Sequence, residues 1–397
     1  MSKTNPDAGP DKSVILHKGK EKAVKNRHHW IFSGAVKSLP DFEDGSLLPV
    51  RSAEGEYLGT AYFNKRCSII GRMVSFDETP PLAALERQID RAIARRRPFF
   101  GAETNAFRLV NGEGDAVPGL VVDRYDDVLV LQISTLGMER LKSFVVDALV
   151  RRLAPRSIYE KSNLPSRREE GLRDSEGLLS GENVEKVEIL ENGLRFIVDL
   201  PRSQKTGFYL DQRENRRLAE SWARGRTVLN CFSYTGAFSV FALKGGALSA
   251  DSADTSEHAL ELARENCRLN GFEDDSNHFF VTDVFDFLRQ NDLRYDFIIL
   301  DPPAFAKKKI EVVPACRGYK DIHRIVFQKI PSGSLVMTFS CSFFVDEALF
   351  QQVIFQAARE ASRDVRILQR HHQAYDHPIN IYQPESDYLK GFLLYVD

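Results

Sequence analysis

After Asp211 the sequence alternates short apolar runs with segments of helical periodicity, and this alternation constrains the fold more than any other feature. Strands separated by helices cannot pair as simple hairpins, so they form a parallel sheet with helices on both faces. The region predicts an α/β fold with a doubly wound, mostly parallel sheet. The predicted strands cover residues 227–230, 250–254, 279–281, 297–300 and 335–339.

The earlier part of the chain predicts two further domains, since 397 residues with 43% hydrophobic content suffice for two or three cores. Short runs broken by glycines indicate a small β-barrel that ends before Pro80-Pro81. These runs are 31–34, 47–50, 57–63 and 69–74. An α+β domain follows, with helices around 82–93 and 141–153 and a strand at 128–133.

Residues 160–183 are polar and Gly-rich and carry no prediction of a strand or helix. Asn192-Gly193 between two apolar runs predicts a β-hairpin. The predicted domains are therefore 1–78, in which 1–13 is flexible, then 79–190, and finally 191–397 with the hairpin at its start.

Composition excludes several classes of protein. No run approaches the roughly 18 apolar residues of a membrane span, so we expect a cytoplasmic protein with no membrane partner. The five cysteines form no C-x-x-C pair, which argues against a metal site and disulfides. A net charge of -2 means that RNA contacts need local basic groups. Two such groups exist, Lys18, Lys20, Lys22, Lys25 and Arg27, and Arg91, Arg95, Arg96 and Arg97.

The residues that close the predicted strands are candidates for ligand binding, because ligands of doubly wound sheets lie beyond the carboxyl ends. The first strand ends in a turn from Asn230 to Gly236, where Gly236 would let a ligand approach the backbone. The turn lacks the G-x-G-x-x-G pattern that binds the phosphates of a dinucleotide. This absence favours S-adenosylmethionine, because S-adenosylmethionine contains no phosphate.

Acidic residues follow the second and third strands. Asp254 is placed to accept both ribose hydroxyls of a nucleoside, with Asp251 as a rival and helix capping as the structural alternative. Asp283 is placed to accept a hydrogen bond from the adenine amino group, with Val284 and Phe285 against the ring.

The fourth strand ends in Asp301-Pro302-Pro303, and the fifth ends near Cys341. Two prolines after an aspartate fix a stiff loop at the ligand edge of the sheet. Neighbouring parallel strands would bring the thiol beside this loop. From spacing alone, Cys341 also fits the pattern of a small core residue.

From Leu16 onward the chain resembles the ribosomal RNA large-subunit cytosine-5 methyltransferase family. The segments that carry the resemblance are 18–21, 30–35, 205–213, 230–236, 301–303, 315–321 and 339–342. The resemblance implies a PUA domain, a middle domain and a Rossmann-like class I methyltransferase domain. It also implies S-adenosylmethionine as cofactor and, as partner, 23S ribosomal RNA or an assembly intermediate of the large subunit; a homodimer is left open.

The same resemblance assigns roles to residues. Cys341 would be the attacking thiol and Asp301 the second catalytic group. The cofactor would be bound by Asp211, Asn230, Phe232, Gly236, Asp254, Asp283 and Asp301. The RNA would be bound by Pro302, Pro303, Phe305, Arg317, Tyr319 and Lys320, with Phe305 and Tyr319 either stacking on the flipped base or packing in the core.

This chemistry explains why a thiol is needed. Carbon 5 of cytosine is too weak a nucleophile until a thiolate adds to carbon 6, and Asp301 would hold or protonate the pyrimidine edge. For the base that removes the carbon 5 proton, Cys316, Lys320, Asp301 and water stay open. Two other functions also stay open: methylation of an amino group on a purine, which needs no thiol, and a non-catalytic role in ribosome assembly.

Overall fold

The computed structural model describes residues 12–272 and 277–397, and it divides into two compact units. The first unit contains the described residues up to Val187, together with Asp199–Phe208 and Asp376–Ser386. The second contains Glu188–Val198, Asp387–Asp397 and the described residues of Tyr209–Tyr375. Most of the segment predicted to be flexible, 1–13, lies outside the described residues, and the predicted three-domain division stays a prediction.

The first unit begins with a six-stranded sheet in the order β2-β6-β5-β4-β1-β3. All four predicted strand runs are present, although the first stops at Phe32 because a short 3-10 helix begins at Ser33. Alternate side chains such as Val14, Leu16 and Phe63 fill its core. The elements are β1 (Val14–Leu16), α1 (Glu21–Lys25), β2 (Trp30–Phe32), β3 (Val36–Ser38), β4 (Leu47–Arg51), β5 (Tyr57–Phe63) and β6 (Ile69–Ser75).

A second sheet of the same unit has the order β11-β10-β9-β8-β7. The polar region 160–183, which carried no prediction, contributes the end of β10, helix α5 and strand β11. No position of β11 is fully buried, and partly buried and exposed positions alternate from Ser175 to Leu179, so the strand lacks an apolar run. The elements are α2 (Pro81–Arg96), β7 (Ala106–Asn111), β8 (Leu120–Tyr125), β9 (Val128–Ile133), α3 (Leu136–Arg140), α4 (Lys142–Leu153), β10 (Ser157–Ser162), α5 (Pro165–Glu169) and β11 (Ser175–Gly181).

The two predicted basic groups differ in the structure. All five residues of the first group are exposed. In the second group, however, the Arg96 side chain is only 2% exposed and donates to both carboxylate oxygens of Asp115, at 2.7 and 2.6 Å. Arg95 pairs with the same carboxylate. Arg96 is therefore not available to RNA, because the buried carboxylate of Asp115 needs its charge, whereas Arg91, Arg95 and Arg97 are exposed.

A two-stranded hairpin, β12 (Lys186–Glu191) and β13 (Leu194–Asp199), precedes the large sheet. The predicted turn is confirmed, since Asn192 and Gly193 both have positive φ, 52° and 78°. Such a pair of left-handed residues is what a two-residue hairpin turn requires.

The second unit is built on a seven-stranded sheet in the order β16-β15-β14-β17-β18-β20-β19. The first five strands are parallel, and β20 pairs antiparallel with both neighbours, which confirms the predicted mostly parallel α/β sheet. The elements are α6 (Arg213–Trp222), β14 (Thr227–Cys231), α7 (Ala237–Lys244), β15 (Ser249–Asp254), α8 (Glu257–Leu269), β16 (Phe279–Val281), α9 (Val284–Gln290), β17 (Phe297–Leu300), α10 (Val312–Lys329), β18 (Ser334–Ser340), α11 (Glu347–Ala361), β19 (Val365–His371) and β20 (Lys390–Val396).

Helices cover both faces of this sheet. Residues of α9, α10 and α11 pack on one face around Ile298 and Leu300, and residues of α6 and α7 pack on the other around Phe297 and Ile299. The strands are therefore apolar on both sides, as buried parallel strands are. Among the helices of 12–272 and 277–397, none has the length and apolar character needed to cross a membrane.

Candidate active site

The carboxyl ends of five parallel strands form one edge of the large sheet and bring the predicted residues together there. In sheet order, Asp283 follows β16, Asp254 closes β15, Asn230 lies in β14, Asp301 follows β17 and Cys341 follows β18. The chain reverses its direction of travel across the sheet beside β14, and such a switch point is where doubly wound sheets bind ligands.

The turn after β14 has an unusual backbone. Phe232, Tyr234 and Gly236 all have positive φ, at 59°, 49° and 72°. Left-handed conformations cost free energy in aromatic residues, and such strain concentrates at ligand-binding sites.

The expected reason for Gly236 is wrong. A Cβ at this position would lie 2.7 Å from the Cβ of Ala263 in α8, so the space that a side chain would take is already filled by a helix and not left for a ligand. Gly236 is required by its positive φ and by the close approach of α8 to the turn.

Asp254 is half-buried and fixes this turn. Its Oδ2 accepts the backbone N–H of Tyr234 and its Oδ1 accepts that of Ser256, both at 2.9 Å. Helix α8 is capped by the hydroxyl of Ser256, so helix capping by Asp254 is excluded. The rival Asp251 is engaged elsewhere: it is 7% exposed and accepts the Tyr295 hydroxyl at 2.7 Å.

Asn230, predicted as a cofactor ligand, lies beneath the turn in the structure. The side chain is 1% exposed, and its Nδ2 donates to the hydroxyl of Ser239 at 3.0 Å beneath the turn. Ser239 in turn shares a 2.7 Å hydrogen bond with Ser252. The amide nitrogen of Asn230 thus links β14 to α7, and its role as a cofactor ligand stays a prediction.

Asp283 is exposed and caps α9, since its Oδ1 accepts the backbone N–H of Asp286 at 3.1 Å. Half-buried aromatic rings continue from here along the edge: the centroid of Phe285 lies 6.4 Å from that of Phe232 and 6.0 Å from that of Phe305. The three rings form an apolar wall between the turn and the Pro-Pro loop.

Asp211 and Asp301 are held by side chains that the sequence did not single out. The Tyr388 hydroxyl donates to Asp211 Oδ2 at 2.7 Å. Buried Gln212 donates from Nε2 to Asp301 Oδ2 at 3.0 Å, and its own Oε1 accepts Asn215 Nδ2 at 2.6 Å. Because this relay fixes the amide of Gln212, it also fixes the orientation of the Asp301 carboxylate.

The Pro-Pro loop and the segment that carries Cys341 are joined through Ser342. The backbone N–H of Ala306 donates to Ser342 Oγ at 3.2 Å, and the Tyr319 hydroxyl shares a 3.0 Å hydrogen bond with the same oxygen. Ser340 donates to the Tyr319 oxygen at 3.0 Å. The half-buried Cys341 therefore lies between two serines that are bound to one phenol.

Tyr319 departs from the expectation that it stacks on a base. Its side chain is fully buried, and its ring packs 4.6 Å from Phe305 and 5.2 Å from Phe350, measured between centroids. Burial raises the pKa of its phenol to about 12, so the hydroxyl stays protonated and serves as a hydrogen-bonding group. Of the alternatives for Tyr319, core packing describes the structure.

Tyr209 lies in segment 205–213, which carries the family resemblance, but the sequence gives it no predicted role. Burial raises the pKa of this half-buried phenol, and negative charge on neighbouring groups raises it further. Those groups are Tyr234, Asp301, Asp211 and Cys341. The phenol therefore lies near three of the predicted site residues, Asp211, Asp301 and Cys341. No sequence pattern predicts that these residues come together around Tyr209.

The other predicted substrate ligands lie in different surroundings. Pro302 is buried, while Pro303 and Arg317 are exposed. Lys320 forms an ion pair with Glu360 of α11 at 2.7 Å. Cys316 packs against the hydrophobic core of the second unit, and burial raises the pKa of its thiol. The thiol is therefore protonated at neutral pH and is a poor base.

Comparison with known proteins gives consistent results. Residues 168–379 match the family model described as S-adenosylmethionine-dependent methyltransferase, and residues 14–76 match that of a PUA-like domain. Proteins named ribosomal RNA large subunit methyltransferase I from Aeromonas salmonicida and Aeromonas hydrophila are 40% and 41% identical, and each alignment covers 96% of this chain and 98% of the relative.

Solved structures agree over the same length. A crystal structure of a protein assigned as a methyltransferase and complexed with SAH has a TM-score of 0.84 at 26% identity. A second, assigned as a SAM-dependent methyltransferase from Streptococcus mutans, has a TM-score of 0.83 at 26% identity. Both matches cover 96% of this chain and 99% of the other chain.

Proposed function

This chain belongs to the S-adenosylmethionine-dependent methyltransferase family that includes the relatives named ribosomal RNA large subunit methyltransferase I, and from that premise we propose that it methylates carbon 5 of a cytosine in 23S ribosomal RNA. Cys341 is the nucleophile in this proposal, and the product is 5-methylcytosine. Naked RNA and an assembly intermediate of the large subunit are both compatible substrates.

The residues at the sheet edge fit S-adenosylmethionine. Each oxygen of Asp254 accepts one backbone N–H and has a second lone pair for a ribose hydroxyl. Asp283 keeps its Oδ2 for the adenine amino group while Oδ1 caps α9. The rings of Phe232 and Phe285 supply apolar contacts for the adenine ring. Asp211 is a further acidic residue that would contact the cofactor, and the Tyr388 hydroxyl holds its carboxylate. When bound, the cofactor supplies an electrophilic methyl group.

The thiolate of Cys341 forms a bond to carbon 6 of cytosine, and the ring electrons shift toward carbon 5. Carbon 5 then bonds to the methyl group while the bond between that methyl group and the donor's sulfonium sulfur breaks, which leaves a neutral thioether, and carbon 5 still carries its hydrogen. A base removes that proton, the bond between sulfur and carbon 6 breaks, and the aromatic ring returns with the thiolate released. Asp301 binds the edge that contains ring nitrogen 3 and the exocyclic amine: its carboxyl oxygen accepts from the amine, and in its protonated form it donates a proton to ring nitrogen 3 as negative charge develops there. That proton returns to Asp301 when the aromatic ring is restored.

The contacts of the candidate residues favour one acceptor for the carbon 5 proton. Lys320 is engaged with Glu360, and Cys316 is a thiol with a raised pKa. Asp301, or a water that it orients, is therefore the favoured acceptor of the carbon 5 proton.

One observation carries the preference for cytosine over an amino group. The Pro-Pro loop and the Cys341 segment follow neighbouring parallel strands, and Ser342 bonds to the backbone of Ala306. The thiol is thus held beside the acidic loop that would bind the base. Methylation of an amine proceeds through the nitrogen lone pair and gives a thiol no role there.

Cys341→Ala tests the function, with Cys316→Ala as a matched cysteine control. We expect the Cys341 variant to lose methylation of unmodified large-subunit RNA while its affinity for S-adenosylmethionine stays within about threefold. The Cys316 variant should keep its activity. RNA that contains 5-fluorocytosine should form a stable adduct with the wild-type protein, and peptide mapping should locate it on Cys341. Methylation by Cys341→Ala would instead indicate an amino group as the acceptor.

A further inference from the structure

A buried lysine lies beside the nucleophile segment and has no role in the mechanism so far. Lys390 is the first residue of β20, opposite Ser340 of β18, and is 7% exposed. Its Nζ donates to the backbone oxygens of Ser342 and Tyr388, each at 2.8 Å. A buried ammonium group is costly unless it is compensated, so its position next to the Cys341 segment requires an explanation.

The groups around Lys390 are mostly acidic. Burial lowers the pKa of its ammonium group, and three acidic groups, which carry negative charge when they are ionised, oppose that effect. These are Cys341, Asp387 and Asp346. Both aspartates are exposed, whereas Cys341 is half-buried and only one residue from the Ser342 carbonyl that Lys390 binds. The thiol is therefore the partner that water screens least.

The titratable groups facing Cys341 come from several elements. Tyr209 precedes α6 and Tyr319 lies in α10, and the pKa of each phenol is raised, so both are neutral at physiological pH. Asp301, which interacts with the same Tyr209, brings negative charge to the edge. Lys390 thus adds a positive charge to surroundings that otherwise disfavour a thiolate.

We propose that Lys390 is a positioning residue that maintains Cys341 as a thiolate, because its buried ammonium group holds the carbonyl of Ser342, the residue that directly follows Cys341. The proposal rests on the proposed function, since a thiolate matters for the reaction only if Cys341 attacks the base. The thiol proton passes to bulk water, and Lys390 neither takes up nor gives up a proton in this step. The methyl donor adds positive charge only when it is bound, whereas Lys390 provides it in the free enzyme as well.

The test measures the acidity of the thiol directly, without RNA and without cofactor. The rate at which iodoacetamide alkylates Cys341 is followed against pH in the full-length protein, with the Cys341 peptide quantified by mass spectrometry. Lys390→Met keeps the length of the side chain and removes its charge. We expect the midpoint of the profile to rise by about one pH unit, and alkylation at neutral pH to slow roughly tenfold.

Lys161→Met is the matched control. Lys161 is 4% exposed and its Nζ donates to the backbone oxygens of Leu200 and Ser203, each at 2.6 Å, so it is an equally buried lysine in the other unit. Removal of this charge should lower thermal stability but leave the Cys341 midpoint unchanged. If Lys390 had a merely structural role, Lys390→Met would likewise lower thermal stability and leave the Cys341 midpoint unchanged.

Asp346→Asn provides a second test if Lys390→Met does not fold. Asp346 caps α11 by accepting the N–H of Leu349 at 2.8 Å, and asparagine retains that cap. Removal of its negative charge should lower the Cys341 midpoint by a few tenths of a pH unit. An unchanged midpoint in folded Lys390→Met, or a midpoint that does not fall in Asp346→Asn, overturns the proposal. Neither result bears on whether Cys341→Ala methylates RNA, so the two hypotheses fail separately.

Discussion

The two halves of the sheet edge hold their functional groups in different ways. On the side of β15 and β16, the carboxylates of Asp254 and Asp283 are fixed by backbone N–H groups. On the side of β17 and β18, Asp301 is fixed by the amide of Gln212, and the segment around Cys341 is fixed by the hydroxyl of Tyr319. One half thus depends on the backbone and the other on neighbouring side chains.

This difference follows from what each half must do. Binding of a nucleoside needs carboxylates at the ends of strands, and the turns after those strands supply N–H groups whatever the side chains are. A covalent step needs a thiol and a carboxylate in a defined mutual orientation, which only specific side chains provide. Substitutions of neighbouring residues should therefore be tolerated in the first half and harmful in the second.

After Cys341→Ala, the largest effect among the variants of this edge is expected from Asp301→Asn. Asparagine retains an oxygen that can accept from Gln212 but removes the negative charge, so the loop should keep its conformation. We expect kcat to fall roughly 100-fold to 1000-fold, as for the loss of a catalytic acid or base. Single-turnover methylation measures the loss, and calorimetric titration of the cofactor serves as the control. A kcat within threefold of wild type would remove Asp301 from the catalytic group.

Asp254→Asn should act on binding and not on the chemical step. Loss of a charged acceptor for the ribose should raise the Kd of S-adenosylmethionine by about 10-fold to 100-fold, while kcat at saturation stays close to wild type. Asp251→Asn is the matched control, because Asp251 lies in the same strand but bonds to Tyr295. If the two variants weakened the cofactor equally, Asp254 would be a structural residue and not a ligand.

The sequence predicted the sheet and its ligand edge well, because both follow from local patterns. Apolar runs locate the strands, and an acidic residue after a buried strand such as 297–300 marks the carboxyl end. The roles of individual side chains were less predictable. For Tyr319 the sequence leaves stacking on a base and packing in the core open, and for Asn230 it predicts contact with the cofactor. Both side chains are buried, because packing with distant elements sets the direction in which a side chain points from its helix or strand.

The residues that the sequence reasoning missed share one property. Gln212 contacts Asp301 across 89 positions, Tyr388 contacts Asp211 across 177, and Lys390 contacts Ser342 across 48. Such pairs arise from the order of strands in the sheet and leave no periodic signal in the chain. The strand order had to be known before these residues could be connected with the site.

Tyr319→Phe gives the smallest effect but bears most directly on the contrast between the two halves. The ring and its packing are retained, while Ser340 and Ser342 lose their common partner. We expect a loss of about 1 kcal/mol in the free energy of unfolding and a decrease in kcat of roughly tenfold, because the Cys341 segment is less well oriented.

Tyr295→Phe is the matched control for that variant. It removes the part-buried hydrogen bond to Asp251, away from the thiol, so it should lose a similar free energy of unfolding and keep its kcat. Chemical denaturation and single-turnover kinetics on both variants separate stability from orientation. Equal decreases in kcat for Tyr319→Phe and Tyr295→Phe would mean that the hydroxyl of Tyr319 contributes only to the stability of the unit. The proposed difference between a half held by the backbone and a half held by side chains would then be wrong.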